Sequence, residues 1–426
     1  MSNIRKYLEL HKQEMIDLLS ELVAVRSVQN KPSQNFPFGK KPALALHKML
    51  RKCEEFGFIT ENIDNYAGSA DINQLQPALA ILSHLDVVPE GSGWSTPDPF
   101  VLTHSDGRLI GRGTCDDKGP AVASLFALKA LSDLAVPLKK GVRLIFGTNE
   151  ENGSADLAYY RTKRQLPPMV FTPDGQYPVI NAEKGMIRVY FSADFQDNEI
   201  GIKAGTVINA VPQQCTATFA SETFFCCGKS AHASTPEKGE NAITKFLDEY
   251  SKEFHNSLLC GLAQLFPHGE YDGKSCGLGF SDEISGSMTC VLSMLNIIDG
   301  RLCGGIDIRF PLDKTKKQIS DIICSSLSSI GFTVDSCEGN EPHVTSEDSE
   351  FVKALLRAYE RVTGKKGYCI AIGGGTYVHD IDGGVSFGSE FPNEDGNMHG
   401  ADEFITVDNL IKNAEIMAEA IIEICG

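Results

Sequence analysis

The sequence contains no apolar run approaching the roughly 18 residues needed to cross a bilayer, and charges are spread from Met1 to Leu19. Neither a membrane span nor a secretory leader is therefore expected. Basic residues are also scarce: 39 Lys and Arg against 56 Asp and Glu leave a net charge of −17, which argues against binding to phosphate backbones. Nucleic acid is accordingly not the expected partner. The glycine cluster Gly373-Gly374-Gly375 is followed by Thr376-Tyr377 and lacks the Gly-Lys-Ser/Thr closure of a nucleotide loop. Its backbone N–H groups suit an anionic group instead, with Gly374 at the centre. Nucleotide binding and serine hydrolysis are not expected. Internal repeats and low-complexity segments are likewise missing.

What is present is the balance of a globular enzyme, 42% hydrophobic and 22% charged over 426 residues, long enough for two lobes. The 13 cysteines are odd in number and irregular in spacing, which points to a reducing cytoplasm. Helical periodicity runs from Ser2 to Val25 and again over Ala43 to Phe56. Leu79-Ala80-Ile81-Leu82 and Val142 to Phe146 read as buried parallel strands, with a helix from Ala121 to Leu134 between them. Past Glu183-Lys184-Gly185 the pattern alternates, as in Ile187-Arg188-Val189-Tyr190-Phe191, which predicts an antiparallel sheet. In that region we expect helices over Gly239 to Leu259 and Lys314 to Ile330, and strands near Thr216 to Phe225, Thr289 to Ile298 and Leu302 to Phe310. A turn-rich junction at Glu338 to Pro342 precedes a helix over Glu350 to Thr363. The expected fold is α/β with two domains: a mostly parallel sheet domain over 1–184 and 343–426, and an inserted α+β domain over 185–342.

Several segments place reactive side chains at predicted strand ends. His84-Leu85-Asp86 closes the first strand; residues two apart share a face, so Asp86 can bond one ring nitrogen of His84 and leave the other for a metal. Asp116-Asp117 lies within a Gly-rich strand-to-helix turn, Gly111 to Pro120. Glu150-Glu151 follows the second strand, where neighbouring residues face different ways and one acid can ligate while the other acts as a base. Asp174 follows a further short apolar stretch, and His232 and His399 sit among small residues that offer them little packing. Taken singly, each also has a structural reading: strand capping for His84, a helix N-cap for one Asp, a solvated pair for the glutamates, a turn for Asp174. The remaining histidines lack such settings.

In order and spacing, from about Leu82 to Glu403, these blocks resemble the co-catalytic di-metal metallopeptidase family that includes carboxypeptidase G, aminoacylase, carnosinase, succinyl-diaminopimelate desuccinylase and the bacterial dipeptidase V. Gly373 to Tyr377, the Phe171 to Gly185 block and the length point to the dipeptidase V branch. The resemblance implies two divalent metals, zinc first, with manganese or cobalt compatible with so oxygen-rich a set. His84 and Asp174 would bind one metal, Glu151 and His399 the other, and Asp116 would bridge them. Asp86 would orient His84, Glu150 would be the general base, and His232 the oxyanion donor, while Asn209, Arg309 and Gly374 would hold the substrate's carboxylate end. The inserted domain would be a lid that closes on hinges near its junctions.

The implied activity is hydrolysis of unblocked dipeptides, β-alanyl dipeptides among them, by a monomer or homodimer. The alternative is an N-acyl amino acid amidohydrolase of aminoacylase or desuccinylase type with the same centre. A silent binding paralogue would require loss of Glu150 or a ligand, and all are present. Departures are Gly400 after His399, where related dipeptidases more often have a larger polar residue, and a lid somewhat short for the branch.

Overall fold

In the computed structural model, which describes residues 2–197, 199–219, 222–253 and 255–426, the apolar run at Leu79 to Leu82 forms the middle of a strand, β1 (Pro77–His84). It lies between two parallel neighbours, β2 (Gly141–Gly147) and β3 (Met169–Thr172). Leu79 and Ile81 enter one apolar cluster and Ala80 and Leu82 another, so both faces are covered and the run has no polar alternation. Parallel pairing continues from β3 to Val385–Ser386. The flanks are antiparallel, with Ala67–Asp71 beside β2 and Val179–Glu183 beside Val385–Ser386. The sheet is thus mixed, with its parallel ladder at the centre.

Between β1 and β2 the chain forms helix α1 (Lys118–Asp133), buried at every residue from Lys118 to Leu128. Strong helix formers fill it, and it packs against the C-terminal helix Val407–Cys425. Such burial on all sides marks a helix inside a layer rather than on a surface. At the N-terminus the single helix expected from Ser2 to Val25 is two, Asn3–Leu10 and Lys12–Val23, meeting at His11, with Ser2 Oγ accepting from Arg5 N as the cap. No helix among the described residues is long and apolar enough to cross a membrane.

The chain divides into two compact units: residues 1–181, 345–370 and 376–426 form the first, and residues 182–344 with 371–375 form the second. The glycine cluster therefore goes with the second unit, whereas the sequence placed Gly374 in the segment 343–426 of the first.

The second unit is built on a seven-stranded antiparallel sheet in the order Glu222–Cys227, Gln214–Phe219, Ile200–Ala204, Thr289–Ile298, Arg301–Phe310, Gly185–Asp194, Thr333–Asn340. Ile187, Val189 and Phe191 are buried while Arg188 and Tyr190 are not, the alternation of a sheet with one covered face. Helices Ala242–Tyr250, Ser257–Leu265 and Lys316–Ser329 share its apolar cluster.

Two expectations differ here. The strand near Thr216 to Phe225 is a hairpin, Gln214–Phe219 paired with Glu222–Cys227; residues 220 and 221 lie outside the described residues. The helix over Gly239 to Leu259 is two helices, because the Asn256 side chain accepts from Leu258 N and Leu259 N and starts a new one; residue 254 is outside the described residues.

Candidate metal centre

The carboxyl ends of β1, β2 and β3 stand side by side, and each carries acidic or imidazole groups. β1 ends at His84, β2 leads into a turn at Glu150–Asn152, and β3 leads to Asp174. Asp117 occupies the N-cap position of α1 with Asp116 just before it. His399 enters from the segment ahead of the strand Phe404–Thr406, in a left-handed backbone conformation with φ of 61°. The carboxyl edge of a parallel sheet is where α/β proteins place ligands, since strand ends and helix N-termini converge there.

These side chains gather into two groups, His84 with Glu150 and Asp174, and Asp116 with Glu151 and His399. Asp116 reaches both: its Oδ1 is 2.8 Å from His84 Nε2, and its Oδ2 is 2.8 Å from His399 Nε2. Glu151 Oε2 lies 3.1 Å from His399 Nε2, and Asp174 Oδ2 lies 3.7 Å from His84 Nε2. Although it faces Asp116 so closely, His84 Nε2 is buried without a hydrogen bond.

Asp86 lies against both His84 and the glutamate turn, with its Oδ1 3.6 Å from His84 Nδ1. The ring Nδ1 of His84 is 3.0 Å from the main-chain oxygen of Asp86, whereas the Asp86 carboxylate accepts from Glu150 N at 3.1 Å and Glu151 N at 3.2 Å. Asp86 thus ties His84 to the glutamate turn.

The electrostatics call for cations. Burial raises Glu150 far above the usual carboxylate range, and the neighbouring negative charges of Asp174, Glu151 and Asp116 add to the shift. Asp174 is pushed up to about 7 by burial and by Asp116. Burial also opposes ionisation of Asp116, but its contacts with His399 and His84 win and hold it below the ordinary range. Repulsion of this kind is relieved by divalent ions, and a set of imidazole nitrogens and carboxylate oxygens is chemistry that such ions bind. The residues present therefore fit a metal pair.

Further side chains support the site, Asp117 from the acid pair noted in the sequence and Asp156 and Tyr377 in support of the glutamate turn. Asp117 Oδ2 accepts from His84 N at 3.0 Å. Asp156 accepts from Thr148 N at 2.6 Å, Asn149 N at 2.7 Å and the Tyr377 hydroxyl at 2.6 Å, which holds the chain leading into Glu150. Only its place five residues past a paired-acid turn hinted at Asp156. Gly384-Val385-Ser386-Phe387-Gly388 has the spacing of a serine-nucleophile elbow, yet Ser386 is fully buried in a strand and donates to Asp174 O at 3.0 Å. It has no role as a nucleophile.

The other candidates belong to the second unit. His232 Nδ1 lies 2.6 Å from Ser234 Oγ and accepts from Ser234 N at 3.2 Å, so the neutral ring carries its proton on Nε2. The main-chain oxygen of Asn209 accepts from Ala233 N at 2.9 Å, next to His232. Arg309 is buried, its guanidinium spans both oxygens of Asp307 at 2.6 and 3.1 Å, and it donates to Gly373 O at 3.0 Å, beside Gly374.

A family model described as peptidase family M20/M25/M40 matches residues 80–423. The chain is 32% identical to YtjP of Bacillus subtilis, over 97% of each chain. It is also 32% identical to the Beta-Ala-Xaa dipeptidase of Lactobacillus delbrueckii subsp. lactis, over 99% of this chain and 98% of that one. Human carnosine dipeptidase 1 shares the fold, with a TM-score of 0.69 at 17% identity over 99% of this chain and 98% of that one. The yeast dipeptidase Dug1p, from Saccharomyces cerevisiae, gives 0.67 at 13% identity over 99% and 98%. A match spanning most of the sequence, together with end-to-end relatives, makes this chain a member of peptidase family M20/M25/M40, metal-dependent enzymes that hydrolyse peptide bonds.

Proposed function

We propose that the protein is a dipeptidase that cleaves unblocked dipeptides, β-alanyl dipeptides included, at a pair of divalent cations. The single observation that carries this reading is the placement of Asp116, with one carboxylate oxygen toward His84 and the other toward His399. The activity in the name of the Lactobacillus relative supports the substrate class. His84 and Asp174 would hold one cation and Glu151 and His399 the other, with Asp116 shared between them. Zinc is the first choice, with manganese or cobalt suited to the same donors. When bound, the cations supply Lewis acidity to a water and to the scissile carbonyl.

The chain's own groups do the rest. The Glu150 carboxylate takes the proton of the attacking water and delivers it to the leaving amine. His232, protonated on Nε2, donates to the oxyanion. The substrate's carboxylate end is held by Asn209, Arg309 and the Gly374 N–H, and Arg309 also donates to the Gly373 carbonyl beside it. In this reading the second unit, roughly 185–342, is the lid and the remainder the catalytic domain. Thirteen unpaired cysteines favour a reducing cytoplasm as its location.

The test is hydrolysis by metal-reconstituted protein of free dipeptides, β-alanyl-histidine, tripeptides, and N-acetyl and N-succinyl amino acids. Cleavage confined to free dipeptides is expected. Cleavage confined to the acylated amino acids would overturn the substrate assignment and leave the catalytic residues in place.

A further inference from the structure

Arg112 and Glu403 are 291 residues apart in sequence and form a buried ion pair of 2.6 Å, with side chains 1% and 0% exposed. A pair this deep rarely strengthens a fold over an apolar substitute, since desolvation consumes the Coulombic gain. Its partners indicate a different use. Glu403 Oε1 accepts from Cys115 N at 2.8 Å and Asp116 N at 3.1 Å, and Oε2 accepts from Gly113 N at 3.0 Å. The Arg112 guanidinium, through the nitrogen not facing Glu403, donates to His399 O at 3.3 Å and Gly400 O at 3.1 Å, and to Glu90 O at 3.2 Å. One ion pair thus grips the main chains of Asp116 and of His399.

The two histidines need this support unequally. His84 ends a central strand and is fully buried. The His399 side chain is 52% exposed and sits outside regular structure in a left-handed backbone conformation. Cation affinity depends on how far the ligands are held in place before binding, and groups that orient ligands commonly control it by 10–100-fold.

We propose that Arg112 and Glu403 are positioning residues for cation binding: Arg112, through His399, sets the affinity of the site formed by Asp116, Glu151 and His399, and Glu403, through the shared Asp116, sets the affinity of both sites. The inference rests on the two-cation reading above. Neither residue touches substrate. Each acts by fixing the backbone that presents a ligand, Glu403 for Asp116 and Arg112 for His399.

The experiment is a calorimetric titration of metal-free full-length protein with Zn2+, repeated with Co2+ by visible absorption, for wild type, Glu403→Gln, Glu403→Asp and Arg112→Lys. Unfolding of each metal-free protein is followed by circular dichroism. Wild type should show two binding events. In Arg112→Lys one event weakens by about 10–100-fold and the other by less than about threefold, in Glu403→Gln both events weaken, and excess metal restores turnover. Glu403→Asp, which keeps the charge, should lie between wild type and Glu403→Gln. Should Glu403→Gln fail to fold, Arg112→Lys and Glu403→Asp carry the comparison. Equal weakening of both events in Arg112→Lys, weakening of only one event in Glu403→Gln, or a lower melting temperature with both events intact in both variants, would overturn the proposal and leave the two-cation reading standing. A single event in wild type would overturn that reading itself.

Discussion

Asp116 Oδ1 and His84 Nε2 face each other at 2.8 Å in a buried site without forming a hydrogen bond. An imidazole nitrogen and a carboxylate oxygen so placed can ligate one ion together, and the second oxygen of Asp116 repeats the relationship with His399. On this account Asp116 is the shared ligand. Asp116→Ala should therefore lower the bound metal to less than one ion per chain, under conditions that saturate wild type, and reduce turnover at least a hundredfold. Metal analysis after gel filtration, beside the assay, checks both.

Glu150 stands close enough to His84 and Asp174 to belong to their group, so its role has to be separated from ligation. As a general base it predicts that Glu150→Gln keeps the full metal content and loses about 10²–10⁴ in kcat. Loss of one metal together with activity would instead make Glu150 a ligand.

His232 is held by Ser234 in the tautomer that donates from Nε2. His232→Ala should lower kcat by about a hundredfold or more with unchanged metal content, the usual effect of removing an oxyanion donor. Steady-state kinetics on a cleaved dipeptide decides the point: an unchanged kcat with a raised KM would assign His232 to binding.

Gly147 ends β2 just before the glutamate turn. A Cβ there would fall 1.7 Å from the Tyr377 hydroxyl and 2.4 Å from Asp156 Oδ2, atoms that are themselves hydrogen-bonded in the core. Gly147→Ala should destabilise the protein by about 1–3 kcal/mol or more, seen as a lower denaturation midpoint, because Tyr377 must give up Asp156 or the strand must shift. A midpoint equal to wild type would show that the pocket yields more easily than its packing implies.

The candidate site residues were legible in the sequence because each follows a local signal: His84 and Asp86 end an apolar run, Glu150 and Glu151 end another, and Asp116 and Asp117 precede a helix of strong formers. What supports them was not legible. Arg112 meets Glu403 across 291 residues and Tyr377 meets Asp156 across 221, and no local pattern encodes such pairings. Asp86 is a similar case: its position pointed to His84, 3.6 Å from its carboxylate, but not to the backbone of Glu150 and Glu151, from which the same carboxylate accepts. In the second unit the breaks were lost to caps and turns. Asn256 restarts a helix inside an apolar periodicity that reads as continuous, and one expected strand folds back as a hairpin.

The central claim is that peptide hydrolysis here needs two cations bridged by Asp116. The most direct measurement is turnover of a free dipeptide as metal-free protein is loaded stepwise, with bound metal counted at each step. The account predicts a plateau at two ions per chain and little activity at one. Full activity with fewer than two ions bound at saturation would contradict it.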